Sequence, residues 1–264
     1  MSHEHATPQR ASKPTLNLVG ALGETLRGLT PAWCGAWGAM AVCAALMAAM
    51  IFLPAGSWSG GWTWLVGLAV IASGLALKGG LLRIALKQPS GLGPAGLQLG
   101  KPEARLLGAA LLCLLLIVMI ASVLGLVLLA VAGMAELDAD AIARRNWAAA
   151  GEGWKLAVVT LAGLATVFVV LSLFVRLSLY APATVARGRM VSLDSFIIVR
   201  GAGWPLFAGL LLTSAPVIIL ALLSSGGMLE GPGGALVWAL VLAGLQAPLT
   251  TGFVAAAYGR LDRG

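Results

Sequence analysis

Six long apolar runs, at residues 36–53, 62–82, 106–133, 156–175, 204–224 and 235–258, organise this chain, and all ten acidic residues lie outside them. Each run supplies the roughly 18 to 20 apolar residues with which a helix, rising about 1.5 Å per residue, crosses a hydrocarbon core. Composition agrees: 10% of the 264 residues are charged and the mean hydropathy is +0.96, whereas soluble domains carry about 25% charged residues. Such a chain needs lipid as its solvent. The alternating segments of a membrane barrel are missing, and a helix is the remaining spanning element in which the backbone satisfies itself. The expected fold class is therefore an all-α integral membrane protein. It has six transmembrane helices in one domain over residues 16–261, behind a disordered cytoplasmic tail at 1–15.

Lys and Arg are retained on the cytoplasmic side of a membrane, so their distribution predicts orientation. Arg10, Lys13 and Arg27 precede the first run, and Lys87, Lys101 and Arg105 join the second to the third, with Lys78 and Arg83 at the end of the second. Arg176, Arg187, Arg189 and Arg200 lie between the fourth and fifth, and Arg260 and Arg263 follow the sixth. The alternate connections are neutral or acidic: 54–61 has no charge, 134–155 holds Glu136, Asp138, Asp140 and Glu152 against three basic residues, and 225–234 holds only Glu230. Both termini are expected in the cytoplasm. The tryptophans fit the same boundaries, with Trp33, Trp37 and Trp204 on the inner side and Trp58, Trp62, Trp64, Trp147, Trp154 and Trp238 on the outer.

Net charge of +7 is spread along one face without an aromatic-interleaved basic cluster, which points to anionic phospholipids rather than nucleic acid as partners. Cys34, Cys43 and Cys113 show neither CxxC spacing nor a paired outer-loop arrangement, and His3 and His5 stand alone in the tail, so no metal site is expected. Leu16, Val19, Leu22, Leu26 and Leu29 recur at helical spacing before Pro31 and predict an amphipathic helix on the cytoplasmic leaflet. A short interfacial helix is expected over 193–200, with Ser192 as its cap and Gly201 as its end.

Pro216 in the fifth run and Pro248 in the sixth should kink their helices and free backbone carbonyls. Thr213 and Ser214 stand beside the first, Gln246 and Thr250 beside the second, so these six residues mark a possible cavity. Leu82-Arg83-Ile84 and Val175-Arg176-Leu177 share an offset of 93 residues (176 − 83), an echo compatible with repeated helical hairpins.

No run contains Asp, Glu or His, the groups that proton relays and ion-coupled transporters place inside membranes. GxxxxGK[ST], HExxH and GxSxG are missing as well, so no catalytic residue and no cofactor is expected. What remains able to interact is a set of cytoplasmic arginines: Arg83, Arg176, Arg187, Arg189, Arg200 and Arg260, whose guanidinium groups suit phosphate or an acidic partner surface. Snorkelling at helix ends would account for the same residues.

The stretch from Arg176 to Val185, then Ser192-Leu193-Asp194-Ser195-Phe196, then Val199-Arg200-Gly201 and Trp204, resembles the pattern RLSLALPA…SLxEAWxLTRGxxW. That pattern belongs to the YciC-like six-span bacterial inner-membrane proteins and to the membrane domains attached to some glycerophosphoryl diester phosphodiesterases. Ser195-Phe196 replaces the family's Ala-Trp, and Val199 stands where Thr precedes the arginine. The resemblance implies a multi-pass inner-membrane protein, and the hydrolytic activity of the fused domain is not carried over. Two functions stay open: a non-enzymatic protein that binds phospholipid or scaffolds another membrane protein or its own copies, and a small-molecule or lipid permease using the kinked fifth and sixth runs.

Overall fold

The computed structural model describes residues 16–52, 61–88, 96–97, 100–144, 146, 151–191, 194–199, 201–229 and 231–262. The expected tail with His3 and His5, most of the 54–61 connection, the Ser192 cap and Arg200 lie outside these residues. Among the described residues all regular structure is helical: α1 Leu18–Phe52, α2 Gly61–Ala85, α3 Lys101–Met134, α4 Ala139–Ala143, α5 Gly153–Leu177 and α6 Tyr180–Arg187. There follow α7 Asp194–Ile198, α8 Gly203–Thr213, α9 Ala215–Ser225, α10 Gly231–Val241, a π-helical turn Leu242–Gln246 and α11 Ala247–Leu261. Five helical elements are long and apolar enough to cross a membrane, and α8 with α9, bent by 50°, make a sixth if the pair is one span.

The most apolar stretches of α3 and α5 are only 6% buried, against 39% in α1, α2 and the α10–α11 element. Leu115, Leu126 and Leu129 on α3 and Leu161, Phe168 and Phe174 on α5 all face outward. Helices apolar all round with so little packed against them require an apolar solvent. The fold thus defines a helical membrane protein.

One end of the bundle gathers the starts of α1 and α3 and the ends of α2, α6 and α11. Arg260 of α11 reaches the Asn17 carbonyl and Glu24 beside the start of α1, Arg187 of α6 reaches Asp262, and Gln88 donates to the Val185 carbonyl. The largest buried core lies here, with Phe253, Leu206, Leu179 and Val191 fully enclosed. Gly209 makes the α8–α11 contact possible, because a Cβ there would run into the Phe253 ring. Gly188, at φ 61°, ends α6 in the left-handed conformation that glycine adopts without steric cost.

Two elements lie where helices were expected outside the apolar runs. Residues 18–35 form a helical stretch joined to the first apolar run through Ala36, whose backbone is non-helical (φ −122°, ψ 16°), and they pack lengthwise against the last span: Thr25 meets Gly252 of α11, and Trp33 meets Gly244 of the π-helical turn. Leu16 and Ala21 are buried in that contact while Val19 and Leu26 face outward, so the apolar stripe divides between two directions. The short helix between the fourth and fifth runs is α7, with Ser195 and Val199 buried against its neighbours.

α3 begins at Lys101, ahead of the apolar run, because Pro102 and Glu103 start it through the charged connection. Glu103 has two tasks. Its Oε2 accepts from the Gly100 amide at 2.9 Å, closing the helix start, and its Oε1 pairs with Arg83 of α2. Both side chains are nearly inaccessible, at 3% and 4% exposure, so Arg83 is turned into the protein rather than toward headgroups. Removing one member of a buried pair strands the other charge, at a cost of about 3–5 kcal/mol. Glu103→Leu is expected to lower the thermal unfolding temperature in detergent strongly, whereas Arg83→Met with Glu103→Leu recovers most of the loss.

Candidate functional site

Both prolines sit where the helical pattern fails. Pro216 lies in the first turn of α9, directly after the bend at Ser214. Pro248 follows the π-helical turn, in which the Ala247 amide bonds back to the Leu242 carbonyl. A proline has no N–H and its ring crowds the carbonyl four residues earlier, here Gly244. That carbonyl is satisfied from another helix, by the Trp33 indole N–H at 2.7 Å. Thr213 and Thr250 turn their hydroxyls onto carbonyls of their own helices: Thr213 to Gly209 at 3.0 Å and Thr250 to Gln246 at 2.8 Å.

Beside the two breaks is a cavity of about 400 Å³, walled by α2, α3, α5, α6, the end of α8 and α11. Of the six residues expected to mark a cavity, Ser214, Gln246 and Thr250 line this one, while Pro248 lines a separate groove; Thr213 and Pro216 belong to the bend. Lys78 also enters the cavity, and its Nζ donates to the Tyr180 hydroxyl at 3.1 Å while lying 4.9 Å from the centre of the same ring. Lys78 was counted in the sequence only toward orientation. Its position in the second apolar run, rather than after it, was the available signal.

The groove, about 820 Å³, runs between the first half of α1, the end of α2 and α11. Ala32, Leu81, Ile84 and Ala255 make its apolar floor, and Arg27 and Lys87 stand on its rim. Pro31 lies along it and leaves the Arg27 carbonyl without a helical N–H. Neither Arg27 nor Lys87 was among the candidate binding residues, because neither adjoins a recognisable motif.

The structure separates the expected arginines. Arg83 is buried with Glu103, Arg187 pairs with Asp262 at 2.8 Å, and Arg260 pairs with Glu24 at 2.9 Å. Arg176 and Arg189 are exposed at the same end of the bundle, and Arg105 donates to the Gly188 carbonyl. Among the described residues, three of the expected arginines are thus held in ion pairs that fasten helices together, and Arg176 and Arg189 face outward. Among the described residues no three His, Cys, Asp or Glu side chains gather as a metal site.

Comparison with protein-family models, curated proteins and solved structures finds no match. The α1–α11 seam offers a direct test of the proline geometry. Trp33→Phe keeps the ring but orphans the Gly244 carbonyl, so stability in detergent should fall by about 1–3 kcal/mol. A change no larger than that of Trp37→Phe, an exposed neighbour, would show the carbonyl to be satisfied otherwise.

Proposed function

We propose that this chain is a non-enzymatic, six-span protein of the bacterial inner membrane, with both termini cytoplasmic, that binds anionic phospholipid at its basic end. The observation that carries this reading is the groove between α1, α2 and α11, with an apolar floor and the cations Arg27 and Lys87 on its rim. An amphiphile fits such a surface: its chain covers the floor, and its phosphate meets the rim. Exposed Arg176 and Arg189 extend the positive field at this end, each basic residue near an anionic membrane surface contributing about 1 kcal/mol. The opposite end carries exposed Glu136, Asp138, Asp140 and Glu152, the charge asymmetry of a positive-inside topology. The resemblance of the 176–204 segment to the YciC-like proteins supports the same membrane.

A second reading, a permease, is favoured by one observation: the cavity adjoins both the α8–α9 bend and the π-helical turn, the two places where helices could move. Uptake into proteoliposomes that depends on Pro216 and Pro248 would establish it.

Topology is tested with reporter fusions. A fluorescent protein at the C terminus should fold and fluoresce, and alkaline phosphatase joined after Gly151 should be active; the reverse pattern inverts the orientation. Lipid binding is tested with Arg27→Glu combined with Lys87→Glu. Co-purifying phosphatidylglycerol or cardiolipin should fall at least several-fold while the folded fraction is unchanged, and undiminished lipid sinks the groove as the binding surface.

A further inference from the structure

Lys78 stands apart from the other cations of this chain. It lies seven residues before the end of α2 (85 − 78), about 10 Å along the helix from the basic end. Among the described residues no carboxylate pairs with it; its partner is the neutral Tyr180. An ammonium has three donors, and the Tyr180 hydroxyl takes one. The cavity also holds a polar atom that no donor reaches. Gln246 Oε1, in the π-helical turn, is enclosed and accepts no hydrogen bond among the described residues. Buried polar groups are rarely left this way, and ionisable side chains within apolar helices mark binding sites or pathways by default. π-Helical turns are themselves frequent at functional sites.

Ser178, Ser214, Thr250 and Thr251 add hydroxyls to the lining, and the remainder of the wall is apolar. Ile117, Leu210 and Val254 face the same space, and Phe174 continues it onto the outward surface of α5. A free anion would find only part of this wall complementary. An amphiphile entering beside Phe174 meets apolar surface with its chain and cationic and amide groups with its head.

We propose that the cavity between Lys78, Tyr180 and Gln246 is a second, internal site for the head of one anionic phospholipid, a phosphodiester beside a hydroxyl donor. The phosphate oxygen accepts from Lys78 Nζ, the neighbouring hydroxyl donates to Gln246 Oε1, and the first methylenes lie against Ile117, Phe174 and Leu210. Whichever way the Gln246 amide is turned, it offers such a head both an N–H donor and a carbonyl acceptor. This inference rests on the reading of the chain as a phospholipid-binding membrane protein, but its residues are distinct from those of the groove.

The test uses the full chain in mild detergent and native mass spectrometry after titration with phosphatidylglycerol, phosphatidylcholine or inorganic phosphate. Wild-type protein should hold one phosphatidylglycerol at least ten-fold more tightly than Lys78→Met or Gln246→Leu, and phosphatidylcholine, which lacks the hydroxyl donor, should not replace it. Arg27→Glu with Lys87→Glu should leave this tight adduct in place. Equal binding by wild type and Lys78→Met overturns the proposal, as does phosphatidylcholine binding equally well. Displacement by millimolar inorganic phosphate would assign the site to a free anion and overturn it too. If Lys78→Met does not fold, Gln246→Leu carries the same comparison, and an adduct retained at wild-type strength is again fatal. Should the groove variant abolish the tight adduct, there is one site and it is the groove. Should it leave the tight adduct and the remaining co-purifying lipid both unchanged while Lys78→Met loses the tight adduct, the groove reading fails and the internal site stands.

Discussion

Where no water reaches, a carbonyl that loses its helical N–H must find a donor within the protein, and much of this bundle follows from how two prolines are accommodated. At Pro216 the chain bends by 50° between α8 and α9. At Pro248 it inserts a π-helical turn, and the Trp33 indole answers the displaced Gly244 carbonyl. That bond needs α1 alongside the last helix, which is where residues 18–35 pack. The same two departures leave space around α11: Pro248 borders the groove, while Gln246 and Thr250 border the cavity. Both candidate binding volumes thus adjoin a place where the helical backbone pattern is interrupted.

Charge plays two physically different parts at the basic end. The Arg187–Asp262 and Arg260–Glu24 pairs are partly exposed, and pairs of that kind contribute about 0–1 kcal/mol each. They align helix ends more than they stabilise them. Arg83 and Glu103 are enclosed together, so neither can be lost alone without a large penalty. Because Arg83, Arg187 and Arg260 are occupied by carboxylates, the cations with no carboxylate partner among the described residues include Arg27, Lys87 and Arg176 outside, and Lys78 inside.

The apolar runs, their prolines and the segregation of charge were legible before any coordinates. Gly201 was recognisable as a break, and its φ is positive. Ser214, Gln246 and Thr250 could be singled out because a proline in an apolar helix implies polar company. Arg83 and Arg176, by contrast, occupy matching positions 93 residues apart and meet different fates: one is buried against Glu103, the other exposed. Nothing in either local sequence separates them.

The sequence by itself determined that this chain is helical and built for an apolar solvent, because hydropathy and backbone hydrogen bonding act locally along each segment. It also determined two of the places where a helix would break, at Pro216 and Pro248, since proline carries that information within four residues. Only the tertiary structure decided which cations are spent on carboxylates, that Lys78 meets Tyr180 and, among the described residues, no acid, and that Gln246 faces the same cavity. Those outcomes depend on which helix ends become neighbours. An arginine's local sequence is the same whether a glutamate or a phosphate will meet it.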